Sequence, residues 1–257
     1  MTETASVSST VDLSHPHRPR SNHYDPSWVV ENQMGAHPLW LLEWLAPALG
    51  LDTLRPGARV LDLGCGRALT SVFLAREYDL QVTAVDPLIA PDDNARRIAD
   101  AGFADRVQAV RAGARELPFS EGSFDAIVSV DAFQEFGADD LYLPTLTRLL
   151  KPGGRIGVVV PALREELPGA EPPAHLAADW RPAYWAYHSA AWWRRNWERT
   201  GAVVVEGAEW QEEGWRDWLR WSEVFAATCE RARETAELLR VDEGRALGFV
   251  RVVGRRR

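Results

Sequence analysis

The chain has 257 residues, 46% of them hydrophobic and 26% charged, with a formal net charge of −8. That is enough for one α/β domain with a sizeable core, and the acidic balance argues against a nucleic-acid partner, whose phosphates need clustered Lys and Arg. Cys65 and Cys229 form no CxxC pair, so they imply neither a disulfide framework nor a zinc site and fit a reducing, cytoplasmic setting; no apolar run is long enough to cross a bilayer.

Residues 1–22 are polar, rich in Ser and Thr and broken by proline, and are expected to stay disordered. From Trp28 to Gly50 the apolar spacing becomes helical, interrupted at Gly35 and Pro38. A regular alternation follows. Ala58–Gly66 is an apolar strand ending in a glycine turn, Ala68–Tyr78 a helix, Gln81–Pro87 a second strand and Asn94–Ala101 a second helix. Strands are then expected at Arg106–Gly113, Phe124–Val130 and Gly154–Ala162, with a helix over Leu141–Leu150 before the Lys151–Gly154 turn. The stretch Ala162–Tyr187 breaks the rhythm with four prolines, Pro168, Pro172, Pro173 and Pro182, after which Ser189–Thr200 is helical. A sixth strand at Ala202–Trp210, a largely helical Gly214–Leu239 and a last strand at Ala246–Val253 complete the pattern. Val- and Ile-rich strands separated by helices indicate a parallel sheet covered on both faces.

The segment Val60–Gly66, VLDLGCG, carries the chemistry. Gly64 and Gly66 let the backbone turn sharply and approach a ligand, with Asp62 and Cys65 beside them. The next helix aims its N-terminal amides at that ligand and favours an anionic group. Asp86 ends the second strand 20 residues after Gly66, where an acid can accept ribose hydroxyls. The bland alternative is turn geometry alone, with Asp62 and Asp86 as strand-end caps. Leu69 stands where a nicotinamide dinucleotide fold would place its third glycine, which counts against an NAD-dependent oxidoreductase.

Four motifs in order, VLDLGCG, AVDP, ELPFSEGSFDAIVSVDAF and LLKPGGRIGVVVP, resemble those of class I S-adenosylmethionine (SAM)-dependent methyltransferases across roughly residues 57–161. The resemblance implies an α/β fold with a seven-stranded, mostly parallel Rossmann-like sheet, an antiparallel last strand, helices on both faces and an N-terminal helical lid. The domain would run over 23–257, with 162–188 as a substrate insertion. It implies SAM as cofactor and a small-molecule substrate. Gly64, Cys65 and Gly66 would pass under the methionyl part, Asp86 would hold the ribose and Pro87 would sit against the adenine. Gly113 and Ala114 would frame the adenine, and Asp131 and Ala132 would face the amino group and the substrate. Many relatives carry an acid where this chain has Gly113, so that contact is either missing here or replaced by Glu116 or a backbone carbonyl.

Methyl transfer from a sulfonium needs alignment first, and a base only when the nucleophile arrives protonated. The candidate bases are His37, Glu135 and His188. The bland alternatives are a helix-capping histidine for His37 and a solvated first-turn acid for Glu135. Trp180–Trp197 holds Trp180, Tyr184, Trp185, Tyr187, Trp192, Trp193 and Trp197, and is expected to divide between core and an apolar, aromatic lid over the acceptor. The acceptor atom (nitrogen, oxygen or carbon) stays open. So does a SAM-binding sensor or scaffold without turnover.

Overall fold

In the computed structural model, residues 12–169 and 171–257 are described. The seven strands are β1 Arg59–Leu63, β2 Gln81–Val85, β3 Val107–Val110, β4 Phe124–Val130, β5 Leu150–Leu163, β6 Val203–Trp210 and β7 Leu247–Arg256. They form one sheet in the order β3-β2-β1-β4-β5-β7-β6. The first five are parallel to one another, and β7 runs antiparallel to both β5 and β6. This is the Rossmann-like sheet that the motifs imply. Its order reverses beside β1, where ligands of open α/β sheets bind at the strands' C-terminal ends.

The helices are α1 Pro26–Asn32, α2 Pro38–Leu49, α3 Leu69–Tyr78, α4 Pro91–Asp100, α5 Tyr142–Thr147, α6 Ala190–Thr200, α7 Gly214–Phe225 and α8 Glu230–Asp242. Strand side chains alternate between faces. Val60, Ala84, Val128 and Val159 pack under α2, α3 and α7, whereas Leu61, Val85, Ile127 and Val158 pack under α5 and α6. Trp193 and Trp197, one helical turn apart on α6, are fully buried in that second core. A third cluster joins the insertion (Leu176, Tyr184, Tyr187) to α8 through Leu238 and Leu239.

Two expectations change. Residues 1–11 of the expected disordered tail lie outside the described residues, but 12–22 are packed. His15 Nε2 lies 2.9 Å from Asp217 Oδ1, and Glu43 accepts from the Arg20 and Ser21 amides, each at 2.9 Å. A few side-chain anchors fix a polar segment that has little apolar surface of its own to bury. Strand β5 also starts at Leu150, the last residue of the expected helix, and runs through the expected turn, because Leu150 pairs with Phe124 before a register shift restores regular pairing at Arg155. No helix among the described residues is long and apolar enough to cross a membrane.

Candidate active site

The turn after β1 is held from two sides. The amides of Gly64 and Cys65 both donate to the Val85 carbonyl, at 2.8 and 3.0 Å, locking it to the end of β2. Gly64 has φ +77° and lies so close to β4 that a Cβ there would sit 2.4 Å from the Ala132 Cβ. Asp86 closes the second side. Its Oδ2 accepts from the Gly66 amide at 3.0 Å, and its Oδ1 from the Leu88 and Ile89 amides at 2.8 and 3.2 Å. Oδ1 is therefore saturated, whereas Oδ2 keeps one lone pair for a ligand hydroxyl. Helix α3 begins after Ala68, at φ 64°, with no side chain capping it, so its first amides are open to an anionic group.

A cavity opens above this turn. Its walls include Gly64, Cys65, Gly66, Thr70, Asp86 and Leu88 from the sheet side, Met34–Ala36 from the loop between α1 and α2, and Asp131, Ala132 and Glu135 after β4. Of the expected cofactor residues, Asp62 stands behind it. Asp62 accepts from the Thr70 and Ser71 hydroxyls, both at 2.6 Å, while its Oδ1 has no partner among the described residues. Burial pushes its carboxyl up to about 6. Asp62 thus fastens α3 to β1, and Thr70 is what reaches the cavity. Pro87, Gly113 and Ala114 do not line it either. The Pro87 carbonyl is taken by Arg111 at 3.1 Å and that of Ala114 by the Tyr142 hydroxyl at 3.1 Å. Cys65 is buried and its thiol pushed well up by that burial, so it stays a neutral thiol.

A second cavity of about 510 Å³ joins the first and shares with it Met34, Gly35, Ala36, Arg67, Asp131 and Glu135. Its remaining wall comes from Gln134, from Arg181, Tyr184 and Tyr187 of the insertion, from Trp218, Trp221 and Phe225 of α7, and from Arg231 of α8. The acceptor pocket was expected to be largely apolar and aromatic. Its wall is aromatic but also carries three arginines and two acids, and of the seven aromatics in Trp180–Trp197 only Tyr184 and Tyr187 reach the cavity. The tryptophans that do so belong to α7, and nothing local in the sequence marks them.

Asp131 sits where the cavities meet. Its backbone is left-handed at φ 54°, uncommon for a residue with a side chain. Its Oδ2 accepts from the Ala36 amide at 2.9 Å, while the Gly35 carbonyl accepts from Trp221 Nε1 at 2.9 Å. The loop is pinned between β4 and α7, and only glycine fits at position 35, where a Cβ would stand 2.1 Å from Asp131 Oδ2. Burial pushes the Asp131 carboxyl up to about 6, toward the range useful to a base at neutral pH. Gln134 donates to the Asp131 carbonyl at 3.2 Å, and its Oε1 has no partner among the described residues.

Two expected bases are corrected. His37 is buried, stacked on Trp40 at 3.9 Å between ring centroids, and caps α2 by accepting from the Trp40 amide at Nδ1, 3.2 Å away. That bond makes Nε2 the protonated nitrogen and leaves no lone pair for a substrate; burial also holds the ring well below its ordinary pKa. The His-Pro pair, a cap followed by proline at the first helical position, was the available signal. His37→Ala should therefore cost about 1 kcal/mol for the lost cap besides the stacking on Trp40, while His37→Asn, which keeps the cap and loses only the stacked ring, should be the more stable of the two and hold turnover. A turnover loss of a hundredfold in a stable His37→Asn protein would restore the histidine as a base. His188 reaches neither cavity. It stacks on Trp192 at 3.7 Å and its Nδ1 meets Glu166 at 3.2 Å. Glu135, by contrast, lies at the junction.

Comparison with known proteins agrees with this geometry. The family model for methyltransferase domains matches residues 60–154. The chain is 35% identical over 115 residues to the 2-methyl-6-phytyl-1,4-hydroquinone methyltransferase of a Synechocystis species, covering 41% of this chain and 32% of that protein. The chain thus spans about a third of that relative's length. Among solved structures, it superposes on geranyl diphosphate C-methyltransferase of Streptomyces coelicolor, a complex containing S-adenosyl-L-homocysteine, with a TM-score of 0.65 at 20% identity, covering 84% of this chain and 78% of that one. Phosphoethanolamine N-methyltransferase 2 of Haemonchus contortus, bound to S-adenosyl-L-methionine, gives 0.69 at 18% identity, covering 92% and 57%. Residues 60–154 thus match the methyltransferase-domain family model, and the sheet around them has the Rossmann-like fold of those solved methyltransferase structures.

Proposed function

We propose that this protein is an enzyme that transfers the methyl group of SAM to a nitrogen, oxygen or carbon atom of a small molecule. The observation that carries this reading is the pair of joined cavities, one built on a glycine turn with a strand-end carboxylate and the other on aromatic and charged side chains, meeting at Asp131. SAM, when bound, supplies an electrophilic methyl group for direct displacement.

The residues of the first cavity suit that cofactor. The open amides at the start of α3 favour a carboxylate, Gly64 and Gly66 admit a chain close to the backbone, and Asp86 Oδ2 has a lone pair for a ribose hydroxyl. Leu88, rather than Pro87, offers the apolar surface for the adenine. The loop Met34–Ala36 covers the junction and excludes water there. Asp131 takes the proton of a nucleophile that arrives protonated, with Glu135 and Gln134 orienting the acceptor. The net charge of −8 supports a small molecule over a nucleic acid.

Titration calorimetry with S-adenosylhomocysteine (SAH) tests the cofactor site. Asp86→Asn replaces a charged acceptor by an amide and turns its NH₂ against the Gly66 N–H, so SAH should bind about 10- to 100-fold more weakly. Wild-type affinity in a folded Asp86→Asn protein would remove the assignment. SAH binding without turnover on a broad acceptor panel would favour a sensor or scaffold.

A further inference from the structure

We infer that the second cavity takes an acceptor built on a planar ring that bears a carboxylate, with Arg231 as the anchor of that carboxylate. The inference rests on the methyltransferase reading and names its substrate class. The ring follows from the wall: Tyr184, Tyr187, Trp218, Trp221 and Phe225 line a space of about 510 Å³, a size and composition suited to one or two fused rings with substituents.

The charge follows from the arginines. Three guanidinium groups converge on this one cavity of an acidic protein. Arg181 is ion-paired with Glu234 on α8. Arg67 donates to the Glu31 carbonyl at 2.8 Å and lines both cavities, so a cofactor carboxylate competes for it. Arg231, in the first turn of α8, lines only the second cavity and has no acidic partner within ion-pair distance among the described residues. Its charge nevertheless reaches inward, for it acts on Asp131, Tyr184 and Tyr187. A guanidinium at a half-enclosed aromatic mouth is a bidentate receptor for a carboxylate.

The acids set the direction. Asp131 and Glu135 line the junction with the cofactor cavity and repel a carboxylate, so the anionic substituent turns toward Arg231. The ring's nucleophilic substituent is then left facing Asp131 and the methyl donor.

The test uses the full-length protein saturated with SAH, whose binding is measured first. Benzoates, cinnamates and indole-acetates bearing a hydroxyl or amino group are titrated by calorimetry, each beside its carboxamide. At least one acid should bind about 10- to 100-fold more tightly than its amide. Arg231→Gln should abolish that preference, while Arg233→Gln, an exposed neighbour on α8 outside the cavity wall, should keep it. Acids that bind no better than their amides, or a preference that survives Arg231→Gln, overturn the inference while leaving the cofactor site intact. Failure of SAH itself to bind overturns the methyltransferase reading instead.

Discussion

With an acceptor whose nucleophile carries a proton, Asp131→Asn should slow methyl transfer by about 10²- to 10⁴-fold. The substitution is nearly isosteric, and the carboxamide oxygen can still accept from the Ala36 amide, which Asp131 Oδ2 does at 2.9 Å. The loop and both cavities should therefore persist, and the loss of SAH affinity should be at least tenfold smaller than the loss of turnover. The pH profile gives a second readout. Burial raises the Asp131 carboxyl to about 6, so the basic form accumulates only as pH rises through that value. The wild-type rate should climb between roughly pH 5 and 7 and then level, whereas an unperturbed aspartate, near 4, would give a flat profile over the same range. Arg231, Glu135 and Tyr187 share the site, and the arginine opposes the rise while Glu135 adds to it. Near-normal turnover in Asp131→Asn would mean that alignment alone suffices and the acceptor loses its proton to water.

Most of the sheet was legible because strand residues buried on both faces must be apolar and branched, a pattern that survives without tertiary knowledge. The glycine turn and Asp86 were legible for a related reason: each depends on its own element and the one beside it. The base was not. Asp131 owes its perturbed carboxyl to burial beneath a loop anchored 95 residues earlier, at Ala36, and that loop in turn to Trp221, 186 residues beyond Gly35. No window of sequence contains those three together. The acceptor cavity fails for the same reason, since α7 and α8 read as amphipathic helices whether or not their inner faces line a site. His37 misled in the opposite direction. A titratable ring near a predicted cavity invites a catalytic role, yet three residues of local geometry commit its lone pair to Trp40. Pro87, Gly113 and Ala114 carried over from the resemblance as a loop position does, by place in the chain, while the lining falls to Leu88.

The other large effect is expected at Gly64. An alanine there must hold φ near +77° and push its Cβ to 2.4 Å from the Cβ of Ala132. The first costs about 1–2 kcal/mol and the second about 1–3, because a Cβ has no rotamer to retreat into and the backbone itself must move. For a chain of this length the sum should lower the melting temperature by roughly 5–15 °C. Either the β1 turn or the backbone at Ala132, between Asp131 and Glu135, must give way, so SAH affinity and turnover should fall together. Two further variants separate the causes. Gly102→Ala meets the same left-handed strain at φ +83° with nothing within 4 Å, and should show the conformational cost alone. Ala132→Gly placed in the Gly64→Ala protein removes the contact but not the strain, so it should recover the packing share of the lost stability and much of the SAH affinity. If Ala132→Gly recovers nothing, the close approach of the β1 turn to the end of β4 is not what limits position 64, and the backbone angle alone must account for its glycine.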